Sequence, residues 1–131
     1  IINTQNQEVG KVYNRLRQPI MKYVNQLKTE EDVIKVNKIE RILSEHNIFE
    51  RNYMYRWFLN HTDYYRALVF VNSYSKIISN QRIKKRKLTK LFNRLNPSLQ
   101  QFQLYKETKS LLKIYSNKNK KPTVPIVKSV L

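Results

Sequence analysis

Apolar residues recur at helical spacing along most of the chain. Residues 9–27 carry one every three or four positions, which predicts a first helix that Pro19 should kink or restart. Residues 29–32, Thr-Glu-Glu-Asp, resemble an N-terminal cap and begin a second helix, with Val33 and Ile39 facing inward. This helix fades near Asn47, which can cap a short third helix through Trp57.

The second half of the chain predicts one long helix and then another. The fourth helix begins at Thr62 or Asp63, and its apolar face resumes as far as Leu95. The apolar stripe lapses over residues 81–87, but no residue there breaks a helix. One rod of about 50 Å is therefore expected at about 1.5 Å per residue, with the lapsed stretch outside the protein's own core. Asn96-Pro97-Ser98 ends this rod, and Ser98 can cap the last helix.

The predicted fold class is all-α: a small helical bundle with one long basic protruding helix and an extended basic C-terminal tail. A single glycine and four prolines in 131 residues argue against a sheet with many tight turns. We expect residues 1–60 to form a near-neutral helical part that docks on protein. Residues 61–117 form a basic helical part that binds RNA, and residues 118–131 form the tail.

Charge is distributed unevenly along the sequence. Residues 1–50 hold eight Lys/Arg against seven Asp/Glu, whereas residues 51–131 hold eighteen against only Asp63 and Glu107. A surface so one-sided repels itself in the compact state, and it is usually tolerated because a polyanion neutralises it. Nucleic acid is therefore the favoured partner.

The basic stretch and its surroundings supply the candidate contacts. Cations occupy every side of the predicted rod, and the acids that normally intersperse a solvated face are absent, so we expect contacts with phosphates. Tyrosines beside an arginine just upstream can stack unpaired bases, whereas Trp57, Phe58 and Phe70 lie on apolar stripes and are expected in the core. The predicted RNA-binding residues are Tyr64, Tyr65, Arg66, Arg82, Lys84, Lys85, Arg86, Lys87, Lys90, Arg94, Lys118, Lys120 and Lys121.

Catalytic chemistry has little support in the sequence. There is no cysteine, the two histidines His46 and His61 are isolated, and no carboxylate cluster suits a metal. We therefore predict no enzyme activity, no cofactor, no metal site and no small-molecule substrate. The longest charge-free apolar stretch, residues 67–75, is too short to span a bilayer, and no secretory signal is visible.

Residues 83–92, Ile-Lys-Lys-Arg-Lys-Leu-Thr-Lys-Leu-Phe, followed by Asn-Arg-Leu-Asn, resemble the central stretch of the bacterial-type large-subunit ribosomal protein numbered twenty, especially its mitochondrial forms. Residues 65–67, Tyr-Arg-Ala, resemble that family's Tyr-Arg element, and Leu104-Tyr105 and residues 111–113 look like its next helix. The resemblance covers roughly residues 58–115. Residues 84–94 can also be aligned, less completely, with the small-subunit protein numbered fifteen. The resemblance to the large-subunit family implies a long basic helix threaded between rRNA helices, with these residues on rRNA phosphates: Lys84, Lys85, Arg86, Lys90 and Arg94.

These features predict a structural constituent of a ribosome that binds and stabilises rRNA by phosphate neutralisation and shape. Residues 1–60 would contact neighbouring ribosomal proteins. The resemblance, together with the abundance of Asn, Lys, Ile and Tyr typical of AT-rich genomes, favours the mitochondrial matrix over the cytoplasm.

Two alternatives stay open. The first is a DNA-binding architectural or regulatory helical protein, and the second is an accessory subunit of a membrane complex on anionic lipid. The second requires a sustained basic amphipathic helix with Trp, Phe or Leu opposite the charges, and the all-round charge of the basic stretch argues against it. In the tail, Pro122 and Pro125 have the spacing of a ligand for a proline-binding module, but the neighbouring lysines favour an extension that follows RNA or a partner.

Overall fold

Every regular element in the described part of the chain is helical. A computed structural model describes residues 2–77 and 83–119, with side chains over residues 3–77 and 83–113. The all-α prediction is confirmed in these ranges. The chain divides into two compact units, which we call unit 1 (residues 1–60) and unit 2 (residues 61–131).

Unit 1 begins with a helix that Pro19 interrupts, as predicted. Helix α1 spans Ile2–Arg17, a 3-10 turn occupies Gln18–Ile20, and α2 spans Met21–Leu27. Proline lacks a backbone N–H and its ring clashes with the preceding turn, so the α-helix cannot run through it unchanged. Val9 and Val12 on α1 are buried, and the Nε of Arg17 donates a 3.0 Å hydrogen bond to Oε1 of Glu50.

The rest of unit 1 is a single helix, α3 (Val33–Leu59), where two helices were predicted. Asp32 caps it, because its Oδ1 accepts a 2.9 Å hydrogen bond from the backbone N–H of Ile34. The predicted break at Asn47 is wrong. An asparagine inside a helix loses well under 1 kcal/mol in propensity, which the burial of other α3 residues, Ile39 before it and Met54 and Phe58 after it, offsets. Val33 is not inward either, since 70% of it is exposed.

Unit 2 contains three helices: α4 (Tyr65–Ser75), α5 (Lys85–Arg94) and α6 (Gln103–Asn119), with a 3-10 turn over Pro97–Gln101 before α6. Each helix packs against the other two. The shared apolar core consists of Ala67, Leu68, Phe70, Val71, Ile83, Leu88, Leu91, Phe92, Leu95, Leu99 and Leu112.

The predicted long basic rod is not confirmed, because α4 ends at Ser75 and α5 begins only at Lys85. Lys84, the residue that caps α5, has an extended ψ of 137°, and α5 packs back on α4 instead of prolonging it. Folding back buries Leu91 and its apolar neighbours, which a rod would leave in water. Each such side chain contributes about 1.5–3 kcal/mol on burial, more than the helical turns lost at the break.

The two ends of α6 also differ from the predictions. Asn96, rather than Ser98, is the cap after α5: its side-chain oxygen accepts a 2.9 Å hydrogen bond from the Ser98 N–H and begins the 3-10 turn. At the other end, α6 runs to Asn119, so the predicted start of the extended tail at residue 118 is wrong. The remainder of the predicted tail, residues 120–131, lies outside the described residues.

A buried polar contact joins α4 to α6. The Asn72 amide donates a 2.9 Å hydrogen bond to the Thr108 hydroxyl, which in turn donates one of 2.7 Å to the Leu104 carbonyl in the preceding turn of α6. Thr108 is fully buried and Asn72 nearly so. Because a buried polar group without a partner is costly, this contact fixes how α4 and α6 pack against each other.

Candidate nucleic-acid interface

Helix α5 has one apolar face and one basic face. Leu88, Leu91 and Phe92 are buried against the rest of unit 2. Arg86, Lys90 and Arg94 are exposed at intervals of four residues, which places them along one stripe of the helix on the side away from the core. The expectation that charge surrounds this helix on every side is therefore wrong, because residues 88, 91 and 92 are apolar and occupy the side that packs against the core.

The start of α5 concentrates positive charge. Lys84 is the capping residue but makes no side-chain cap, and no acid occupies the first turn, where Lys85 and Arg86 stand instead. Backbone N–H groups already make a helix N-terminus positive, so cations there are electrostatically unfavourable in the protein alone. Lys87 continues the cluster in the same turn. An anion would relieve this repulsion.

Helix α6 carries a second basic stripe that the sequence analysis missed. Lys106, Lys109 and Lys113 are all exposed, and their separations of three and four residues place them on one side of the helix. The spacing itself was the available signal.

An open cleft, which we call the α5–α6 cleft, lies between α5 and α6. Its volume is about 250 Å³, and its walls carry Lys85, Thr89 and Asn93 from α5 and Lys109 and Lys113 from α6. Its floor is formed by the remaining exposed atoms of two mostly buried side chains, Phe92 and Leu112.

Stacked rings hold the two walls of the α5–α6 cleft together. The Phe92 ring lies nearly parallel to that of Tyr105 on α6, with 4.6 Å between the ring centroids. Neither acid of unit 2, Asp63 or Glu107, lines the cleft. The basic charge of both walls is therefore not balanced at the cleft itself.

We define the basic face as the cations at the N-cap of α5, on α5 and on α6 up to Lys113 that line this cleft or are exposed beside it. It comprises Lys84, Lys85, Arg86, Lys87, Lys90, Arg94, Lys106, Lys109 and Lys113. The structure thus brings six of the predicted RNA-binding residues together on one surface and adds three lysines that were not predicted.

The predicted aromatic contacts lie at the start of α4. The Tyr65 ring meets Phe102 edge to face at 4.8 Å between centroids, and the Tyr64 ring meets that of His61 at 5.2 Å. Both tyrosines and Arg66 are half-buried. The ring contacts of both tyrosines explain their positions through packing within unit 2, and their contact with RNA stays a prediction.

Four predicted contact residues cannot be placed on this surface. Arg82, Lys120 and Lys121 lie outside the described residues. Lys118 belongs to α6, but its side chain is also outside them. The basic face rests on α5 and on the part of α6 up to Lys113.

Other kinds of site find no support in the described ranges. Residues 2–77 and 83–119 contain no group of three or more His, Cys, Asp or Glu side chains that could hold a metal ion. The helices in these ranges are too short or too polar to cross a membrane. One carboxyl has a shifted pKa: hydrogen bonds from the Gln26 side chain and the Asp32 N–H lower the pKa of Glu30, which closes the turn between α2 and α3.

Fold and surface together define a small all-α protein with a compact basic face on its second unit. No known protein family, curated protein or solved structure matches the chain. The basic face of α5 and α6 is therefore the feature from which a function follows.

Proposed function

We propose that this protein is a structural, rRNA-binding constituent of a ribosome, with a mitochondrial ribosome as the setting that the resemblance implies. The basic face carries this proposal: nine cations on α5, at its N-cap and on the packed helix α6, where Glu107 is the one acid on the two helices. A face of that composition is suited to phosphates, and the protein performs no reaction in this role.

The mode of binding follows from the arrangement of the charges. Cations on helices that are packed against a core are held at fixed separations, so they fit a phosphate array of matching shape. Affinity arises mainly from the counterions that RNA releases when its phosphates are neutralised. Little of the basic face can read bases, because lysine and arginine side chains directed at phosphates carry no sequence information.

Unit 1 supports the second part of the proposal, a protein partner. Its charge is close to balanced, and large apolar side chains of α3 are exposed: 70% of Val33, 69% of Ile34 and 50% of Phe49. Contiguous exposed apolar patches mark protein contacts, and the adjacent residues Val33 and Ile34 are the best candidates for one here. We propose that they contact neighbouring ribosomal proteins.

The membrane alternative fits the structure less well than a polyanion does. Helix α5 does have leucines and a phenylalanine opposite its cations, as an interfacial helix would. However, Leu88, Leu91 and Phe92 are at most 6% exposed. They could reach lipid only if α5 left α4 and α6, so anionic lipid is a poorer partner for this surface than a polyanion that needs only the basic face.

Sedimentation of the tagged native protein tests the proposal. We expect it to migrate with ribosomal particles through a moderate-salt wash and to return to the top of the gradient after RNase treatment. Migration at the top without RNase, or with a membrane complex that RNase leaves intact, would contradict the proposal. Competition between structured RNA and duplex DNA at equal salt separates the remaining alternative, since a DNA-binding protein prefers the duplex DNA.

A further inference from the structure

The α5–α6 cleft differs from the rest of the basic face in shape and chemistry. Arg86, Lys90 and Arg94 stand on a convex ridge, which suits the phosphates along a helical RNA backbone. The cleft is concave, and it combines three lysines with a hydroxyl, an amide and an apolar floor. Such a mixture is typical of a site for a whole small group rather than for charge alone.

We propose that the α5–α6 cleft receives one unpaired nucleotide of the RNA bound to the basic face, an inference that rests on the proposed function. Lys85, Lys109 and Lys113 hold the phosphate of that nucleotide. The Thr89 hydroxyl and the Asn93 amide donate and accept hydrogen bonds at the ribose and the base edge. The base lies against the floor.

The size of the cleft selects an unpaired nucleotide over a duplex. At about 250 Å³ the cleft is smaller than the roughly 300–1,000 Å³ of pockets that enclose drug-sized ligands, so it accommodates one ring system and its phosphate. A duplex is too wide to enter. A nucleotide from a bulge or loop can be turned out of its strand and inserted, which is how proteins usually recognise RNA bases.

The electrostatics of the cleft favour the same ligand. Lys85, Lys109 and Lys113 share one small space, and within residues 83–113 the structure gives none of them a carboxylate partner. Their mutual repulsion is relieved when a phosphate enters. Thr89 and Asn93 likewise make no side-chain hydrogen bond to the described protein, so both are available to a ligand.

Binding to matched RNA probes tests this inference. The probes are an RNA hairpin whose two strands are fully paired and joined by a non-nucleotide linker, so that it has no unpaired base, and four versions of it that carry a single unpaired A, C, G or U. Contact between one base and a mostly buried apolar floor is worth about 1 kcal/mol, the low end of base stacking. We therefore expect at least one bulged hairpin to bind about fivefold tighter than the paired hairpin at equal salt.

Two double variants with equal charge change separate the cleft from the ridge. K109Q with K113Q should abolish the preference for the bulged hairpin, whereas R86Q with K90Q should weaken both hairpins by a similar factor and keep the preference. N93D, which places a carboxylate at the cleft without touching the core, should also abolish the preference.

The outcomes distinguish the inference from the proposed function. If the native protein binds paired and bulged hairpins equally, or if K109Q with K113Q keeps the preference, the cleft inference is overturned while RNA binding stands. If the native protein binds none of the hairpins, the proposed function itself fails.

Discussion

Removing the outer charges of α5 should weaken the salt dependence of RNA binding by a calculable amount. The variant is R86Q with K90Q and R94Q, which neutralises one exposed stripe about 12 Å long, given a rise of about 1.5 Å per residue. Glutamine keeps the helix propensity, and none of the three side chains is buried. The fold of unit 2 should therefore be preserved.

The magnitude follows from the number of phosphates contacted. If each exposed cation of the basic face outside the cleft, at positions 84, 86, 87, 90, 94 and 106, neutralises one phosphate, the slope of log K against log salt is about −5, at about −0.9 per phosphate of a duplex. Affinity then falls about 10³-fold between 50 and 200 mM salt. The variant keeps three contacts, so its slope should be about −2.7 and its loss over the same range about 40-fold.

Fluorescence anisotropy with a labelled 20-base-pair RNA, at five salt concentrations, measures both slopes. The matched control is K35Q with K38Q and R41Q, three exposed cations on one side of α3 in unit 1. It removes the same formal charge and should leave the slope of the native protein unchanged. A native slope in the α5 variant, or an equal decrease in both variants, would refute the assignment of phosphate contacts to the basic face.

Three further predictions concern the start of α5, the core of unit 2 and the turn between α2 and α3. K84E with K85E and R86E should abolish incorporation into ribosomal particles. Helicity measured by circular dichroism should be retained, because acids are favourable in the first turn of a helix. Normal incorporation would contradict the proposed function. T108V should lower the free energy of unfolding in urea by about 1–3 kcal/mol, because it leaves the buried Asn72 amide without its acceptor. T108S keeps the hydroxyl and should recover part of that loss. A decrease below about 0.5 kcal/mol in T108V would show that the contact matters little. The lowered pKa of Glu30 stabilises the folded state at pH values above 4.5, the usual pKa of a glutamate. This contribution disappears as the pH falls through the lowered pKa. An NMR titration that places the pKa of Glu30 in the folded protein at or above 4.5 would contradict the hydrogen bond from Gln26.

The sequence predicted the all-α class and the interruption at Pro19 because both depend on local chemistry. The apolar period and the scarcity of glycine act within a few residues, as does the missing N–H of proline. The predicted break at Asn47 is wrong for the same reason: the local preference of asparagine is weak, and packing over the 27 residues of α3 outweighs it.

The hairpin of α4 and α5 depends on contacts that no local pattern contains. An apolar stripe that lapses and resumes is compatible with a straight rod and with two helices that fold back on each other, and the burial of Leu91 decides between them. The sidedness of α5, by contrast, was present in the sequence. Residues 88, 91, 92 and 95 fall within one arc of about 100° at 3.6 residues per turn, so the charges could not occupy every side.

The lysine stripe of α6 required both kinds of information. Its spacing is visible in the sequence, but its importance depends on α5 lying beside it with Lys85 at the shared cleft. That neighbour is a consequence of the hairpin. The candidate site was therefore predicted in its chemistry and in most of its α5 residues, while its shape was not.

If the protein binds RNA as proposed, the buried apolar side of α5 determines which partner must become ordered on binding. A free basic rod would have to give up conformational entropy on each encounter, and its affinity would be reduced by that amount. Because α4 and α6 already hold α5 in place, the cations reach the RNA as a preassembled template. Under the proposed function the RNA is then the flexible partner in the encounter and takes on the spacing of the protein's charges, which would suit this chain to an early step in the assembly of a particle.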